Sequence, residues 1–167
     1  DWTNNTALLS VNGISGRIVL DSTYAWHLAE ENGWKITLTN GFENDSKWIL
    51  NDTVGNTYEF GKIGNYPAAC VAEVPHKWML TKQTNSFGKS ILYTYTTEQR
   101  GFNRPCGAFT ATNATYISTI TYPNSRYRIR FELAPRADYL ATWESGANFY
   151  AFQKSYLKNI VVEQDTS

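Results

Sequence analysis

The chain has 167 residues and a mass of about 19.0 kDa, the size of one ordinary domain rather than two. Fifteen Lys and Arg balance fifteen Asp and Glu, so the formal charge is zero, which argues against a broad basic surface for nucleic acid and against an acidic disordered tail. Charged residues make up only 18%, below the ~25% of a typical soluble domain. Fifteen Asn, nineteen Thr, eleven Ser and twenty-five aromatics stand in their place. That composition favours pleated backbone and turns and excludes an all-helical bundle.

In chain order, strand-like runs are expected at Leu8–Val11 and Arg17–Leu20, separated by the turn dipeptide Asn12-Gly13. Tyr24–Glu31 is the one helix candidate, although Tyr24, Trp26 and Leu28 alternate with Ala25, His27 and Ala29 as a strand would. Trp34, Ile36 and Leu38 alternate with Lys35, Thr37 and Thr39, which gives one apolar face. Trp48–Leu50, Thr57–Phe60 and Cys70–Val74 follow, with turn signals at Asn32-Gly33, Asn40-Gly41, Asn44-Asp45 and Gly64-Asn65. His76, Trp78 and Leu80 oppose Lys77, Met79 and Thr81, and Ile91–Thr97 and Tyr116–Thr121 are further runs. The clearest alternation sets Tyr127, Ile129, Phe131 and Leu133 against Arg126, Arg128, Arg130 and Glu132. Tyr139–Trp143 and Leu157–Val162 close the series, with turns at Pro123-Asn124 and Ser145-Gly146.

Short strands with turns at roughly eight-to-twelve-residue intervals predict an all-β fold. We expect a single elongated β-sandwich or jelly-roll-like domain over residues 1–167, with immunoglobulin-like character and little helix. The polar tail 163–167 is where a strand gives way to a linker. No apolar run reaches the length of a membrane span, and no basic start precedes an apolar segment. A surface wetted by amides and hydroxyls, with a single Met, suits an extracellular domain.

Cys70 and Cys106 are the only cysteines and form no C-x-x-C motif. With an extracellular composition a disulfide is expected between them, closing a loop of about 37 residues and stabilising by roughly 4 kcal/mol. The alternative is two buried thiols. Asn-x-Ser/Thr sequons occur at Asn4, Asn44, Asn51 and Asn113 and would mark surface loops in a eukaryotic secreted protein.

Catalytic chemistry is poorly supplied. His27 and His76 are the only histidines, and neither has Cys, Asp or Glu at ligand spacing, so no metal and no cofactor are expected. His27 reads as a strand residue satisfied by a neighbour. There is no G-x-S-x-G elbow and no phosphate-cradling glycine loop. Glu30, Glu31, Glu43, Glu59, Glu73, Glu98 and Glu144 could in principle pair for glycoside hydrolysis, but no motif selects two of them. Binding without turnover is the expectation.

Aromatic and planar polar side chains remain. A sugar offers an apolar C–H face to Trp or Tyr and a hydroxyl rim to Asn, Asp, Glu or Arg. Four segments combine these: residues 143–150 around Ser145-Gly146, Gln99–Arg104 before Pro105-Cys106, Gly64–Pro67, and Glu30–Trp34. The sequence thus predicts a shallow loop-borne pocket in which Trp143, Glu144 and Asn148 supply stacking and paired hydrogen bonds. Arg100, Asn103 and Arg104 are its expected partners, and Tyr66 its rim. Trp26, Trp34 and Trp78 read as core, whereas Trp143 is balanced between core and surface. Arg126, Arg128 and Arg130 read as a solvated stripe paired with acidic residues on the next strand.

The Asp1 start, the single Cys pair and the polar ending Gln164-Asp165-Thr166-Ser167 give a layout that resembles the receptor-binding domain of a bacterial chaperone–usher fimbrial tip adhesin. The resemblance implies a lectin domain at the pilus tip, outside the cell, binding a host glycan or glycoprotein and followed by a pilin domain. It implies no nucleic-acid partner, no membrane insertion and no catalysis. Two other classes share the features: a carbohydrate-binding module of a polysaccharide-degrading enzyme, and a viral or eukaryotic attachment domain.

Overall fold

The computed structural model describes residues 6–30, 32–41, 45–67, 73–104, 107–123, 126–139, 141–144 and 149–164. For residues 6, 65–67, 73–76, 102, 104, 141–144 and 149–151 only the backbone is described. Cys70, Cys106 and Asn148 lie outside the described residues, so the expected disulfide does too.

The chain is all-β. In order come β1 (Thr6–Val11), β2 (Ile14–Leu20), β3 (Trp26–Leu28), β4 (Lys35–Thr39), β5 (Lys47–Asn51), β6 (Thr57–Pro67) and β7 (Glu73–Thr84). Then follow β8 (Ser90–Arg104), β9 (Gly107–Thr121), β10 (Tyr127–Pro135), β11 (Ala141–Glu144), β12 (Phe149–Phe152) and β13 (Ser155–Gln164). β1 to β10 lie side by side in chain order, every pair antiparallel, and β13 returns beside β10. The hairpin β11–β12 stands apart as a second, two-stranded sheet.

The helix candidate Tyr24–Glu31 is overturned. Trp26–Leu28 is a strand paired with β2, with Ile18 opposite Leu28 and Leu20 opposite Trp26. The alternation of Trp26 and Leu28 with His27 is the signal that prevailed, because a period of two places those two side chains on one face of a strand, whereas Tyr24 lies before β3 in the turn. Gly64-Asn65 is also not a turn. Both residues lie inside β6, where the pairing with β7 slips on either side of Gly64. A glycine inside a strand commonly marks such a bulge.

Three connections share one construction. Asp21 Oδ1 accepts N–H bonds from Thr23 and Ala25, Asp52 Oδ1 from Val54 and Asn56, and Asn85 Oδ1 from Phe87 and Lys89. In each, the fourth residue has positive φ: Gly55 at 88°, Gly88 at 77°, and Tyr24 at 63°. Tyr24 therefore occupies a position where the two sister turns place glycine. The Asn12-Gly13 and Asn40-Gly41 turns are left-handed at both residues, as their dipeptides predict.

The main buried cluster belongs to the first six strands. Leu9, Val11, Ile18, Leu28, Ile36, Trp48, Leu50, Tyr58 and Phe60 form one cluster, with Trp26, Trp34, Leu38, Trp78 and Leu80 packed against it. Trp48 meets the ring of Trp26 edge-on at 5.0 Å and that of Trp78 at 6.3 Å, while Trp34 stacks on Tyr58 at 5.5 Å. The β1–β2 turn reaches across to β6 through Asn12, whose Nδ2 donates to the Tyr58 hydroxyl at 2.9 Å. The sheet thus curls upon itself. The three tryptophans read as core from their alternation do pack against that cluster.

The sheet turns a corner between β7 and β8, which pair only over Lys82–Thr84 and Ser90–Leu92. Beyond it, β8 and β9 form a long hairpin paired from Leu92 to Arg104, and β9 lies against β6 although the two are not ladder neighbours. Where β9 is deepest, Ala111–Ala114 are buried. No described side chain of β8, β10 or β13 is fully buried. Leu157, Ile160 and Val162 of β13 and Tyr127 of β10 are exposed. On the opposite face of β10, Arg128 and Arg130 of the arginine stripe are paired as expected with Glu163 on the neighbouring β13, and Arg130 also meets Glu132 on its own strand. The sequon at Asn113 falls in the buried part of β9, which removes it as a surface-loop marker.

A cleft between the long hairpin and β12

A cleft of about 480 Å³ opens where β8 and β9 meet the segment on either side of the β11–β12 hairpin. Glu98, Gln99, Arg100, Asn113, Tyr139, Phe152 and Lys154 line it. Asn113 builds the wall from within β9. Its Oδ1 accepts the Phe152 N–H at 2.8 Å, and its Nδ2 donates to the Phe152 carbonyl. One amide side chain so completes the backbone bonding of a residue outside the main sheet, which explains why a polar group is buried there.

Phe152, thus fixed, meets the Tyr139 ring edge-on at 5.6 Å. Each ring carries a cation: Arg100 lies over Phe152 at 5.0 Å, and Lys154 over Tyr139 at 5.6 Å. Glu98 Oε2 accepts the Lys154 backbone N–H at 3.2 Å, and Oε1 accepts the Ser155 hydroxyl at 2.5 Å. The Ser155 N–H donates to the Tyr116 hydroxyl at 3.3 Å. Burial, reinforced by the neighbouring Glu98 carboxylate, pushes the Tyr116 phenol above its ordinary value, so it stays a neutral hydroxyl. The Arg136 N–H donates to the Lys154 carbonyl at 2.8 Å, which fixes this stretch from its other side. The result is an aromatic floor with a guanidinium, an ammonium, a carboxylate and an amide around it.

Of the residues expected at the site, Arg100 lines this cleft. Asn103 is exposed on β8 opposite Ala108, toward the hairpin tip, and is not part of the lining. Arg104 and Tyr66 are described by backbone only, in β8 and β6. The two segments read as loops, Gln99–Arg104 and Gly64–Pro67, are strand: period-2 pairing extends through both, interrupted only by slips. Trp143 and Glu144 sit in β11 opposite Tyr150 and Phe149, with side chains outside the described set. Sequence reasoning missed Asn113, Tyr139, Phe152 and Lys154. A signal existed for the first, an amide amid the small residues Ala111, Thr112 and Ala114, where backbones approach closely. The others are single residues, Phe152 at the end of β12 and Tyr139 and Lys154 in connections, with no pattern to mark them.

Among the described residues no group of His, Cys, Asp and Glu could hold a metal ion. His27 Nδ1 lies 2.9 Å from the Leu28 carbonyl, the neighbour contact expected of a strand histidine. No protein-family model matches the chain, and no curated protein matches it. Among solved structures it is similar to the N-terminal domain of the effector protein SpvB from Salmonella typhimurium strain LT2, with a TM-score of 0.62 and 14% identity. The match covers 96% of this chain and 63% of that one. That likeness shows a shared fold.

Proposed function

We propose that the chain is a non-catalytic carbohydrate-binding domain of the cell-adhesion kind, and that the cleft beside Phe152 is where it holds a glycan. The fimbrial tip adhesin lectin domain is the form of this reading favoured by the sequence. The observation that carries it is the Tyr139–Phe152 pair ringed by Arg100, Glu98, Gln99 and Lys154. Rings supply contact area for sugar C–H groups, and planar or charged groups exchange hydrogen bonds with hydroxyls for about 1 kcal/mol each. Binding at such a site is weak per sugar and gains from repetition on a cell surface.

The test is a glycan array followed by titration calorimetry on wild type, Tyr139→Ala and Arg100→Ala. The reading expects retention of particular oligosaccharides without their cleavage, and its loss in both variants while each still unfolds cooperatively. Time-dependent hydrolysis of a retained glycan would contradict the non-catalytic part. A second reading takes its support from the fold likeness to an effector's N-terminal domain: a module of a larger bacterial effector. It expects no glycan retention by the wild type.

A further inference from the structure

We propose that the outer edge of β13 is the surface through which two copies of this chain pair, strand beside antiparallel strand about a two-fold axis. The proposal stands apart from the glycan-binding reading. β13 ends the sheet order, and β10 is its one ladder partner among the described residues. Its other edge therefore presents backbone N–H and C=O groups as a template for a further strand. Asn159 sits opposite Glu132 and Leu157 opposite Leu133, so Lys158 is the extra residue of a bulge. Beyond it the ladder runs regularly from Asn159 to Gln164. That stretch holds no proline, and its one charged residue, Glu163, is neutralised from β10 by Arg128 and Arg130. Asn159 Nδ2 likewise donates inward, to Glu132. The bulge and the lysine that would blunt an edge stop at residue 158, and the rest is open.

The side chains of this stretch say that the occupant is a second copy. Ile160 and Val162, 58% and 72% exposed, lie opposite Phe131 and Ile129 and extend their apolar row to the edge, where it stops. A two-fold axis through Val161 sets Ile160 against the partner's Val162, Val162 against the partner's Ile160, and Val161 against its own mate. On the other face of the strand the same axis sets Asn159 against the partner's Glu163. Apolar groups meet apolar groups, an amide meets a carboxylate, and no like charges face each other. Neighbouring registers lose this match. An axis through Ile160 sets Val162 against Lys158, and one through Val162 sets Val161 against Glu163 and Ile160 against Gln164. The strand is thus self-complementary in one register, and the interface it makes is isologous and closes at two copies. A short strand edge covers less than the roughly 1,200 Å² at which stable interfaces begin, so the pairing is weak, with a Kd on the order of 100 µM.

The experiment is sedimentation of the whole chain from roughly 5 µM to about 500 µM, which brackets that Kd. Backbone hydrogen exchange is read at both ends of the range. The proposal expects a reversible monomer–dimer equilibrium, with amides between Asn159 and Gln164 slowed at high concentration and those of β1, the opposite edge of the sheet, unchanged. Val162→Lys, at an exposed site that tolerates it, should weaken association about tenfold or more. Val161→Lys and Val161→Glu should each lose it alone and regain it when mixed, because the two-fold axis sets residue 161 against its own mate. Leu8→Lys on β1 should change nothing. Melting temperatures read beside each variant confirm that it is folded. A chain that stays monomeric across the range overturns the proposal. So does association that survives Val162→Lys or is lost in Leu8→Lys, since either places the contact elsewhere. Growth into ever larger species overturns the two-fold, because it means head-to-tail pairing of β13 with another edge.

Discussion

Trp48 on β5 and Val162 on β13 both sit on the apolar side of an alternating strand, yet one is 4% exposed and the other 72%. The difference lies in what the rest of the chain does with each face. In the first half the short strands curl until the β1–β2 turn bonds to Tyr58 on β6, and nine side chains close into one cluster. In the second half the sheet has turned its corner at β7–β8. The long strands β8, β9, β10 and β13 form a blade with a charged face, exposed apolar side chains and the cleft at its side. Alternation tells which side of a strand is apolar. Whether that side is covered depends on curvature, which is set by strand length and by where the ladder is interrupted.

The sharpest way to break the comparison is a pair of substitutions. Trp48→Ala removes the hub between Trp26 and Trp78 and should cost about 3–5 kcal/mol. Val162→Thr should stay within about 0.5 kcal/mol of wild type. Denaturant unfolding of both measures the contrast, and similar losses would mean that the two halves are packed alike. Asn113→Ala comes next: it strips the Phe152 N–H and carbonyl of their partner and should cost about 1–3 kcal/mol. Because the cleft wall goes with it, the same variant should lose any glycan binding, read by thermal unfolding and titration together.

Tyr24 offers a change in the opposite direction. It holds φ at 63° and its side chain is 85% exposed, at the position that Gly55 and Gly88 fill in the sister turns. Tyr24→Gly should therefore stabilise by about 1 kcal/mol, seen as a higher melting temperature.

The same turns predict an acid response. Desolvation alone would raise the Asp52 carboxyl, but donors from Asn56, Val54 and Tyr58 outweigh it and hold the pKa below its ordinary 3.8. Hydrogen bonds from Ala25 and Thr23 do the same for Asp21, and those from Arg128 and Arg130 for Glu163. A carboxyl whose folded pKa is depressed stabilises fully above its unfolded value and loses that contribution as pH falls through the folded one. Melting temperature should be insensitive to these groups from pH 7 down to about pH 5, then fall below about pH 4. Asp52→Asn should make that acid fall shallower.

Much of the fold was legible in the sequence for a physical reason: the alternation at Trp34–Leu38, His76–Leu80 and Tyr127–Leu133 is local, and a period of two admits one backbone. The turn dipeptides at residues 12–13 and 40–41 were readable because only a few residues tolerate positive φ. Gly64-Asn65 misled because the same glycine freedom serves a bulge inside a strand as well as a turn. The site was less legible. Arg100 stood out through its aromatic and polar neighbours in sequence, whereas Tyr139, Phe152 and Lys154 meet it only because β12 folds back beside β9. Asn113 carried a misleading glycosylation motif, while its actual task is a pair of hydrogen bonds to a residue 39 positions away.

Hydrogen exchange of backbone amides, measured with and without a retained glycan, tests most directly the claim that the first half carries stability and the blade carries recognition. The account predicts that amides of β2, β4, β5 and β6 exchange only through global unfolding, that β13 opens at lower cost, and that ligand slows exchange at Gln99, Arg100, Phe152 and Lys154. Ligand-dependent protection centred on β1–β6, with the amides around Phe152 unchanged, would contradict it.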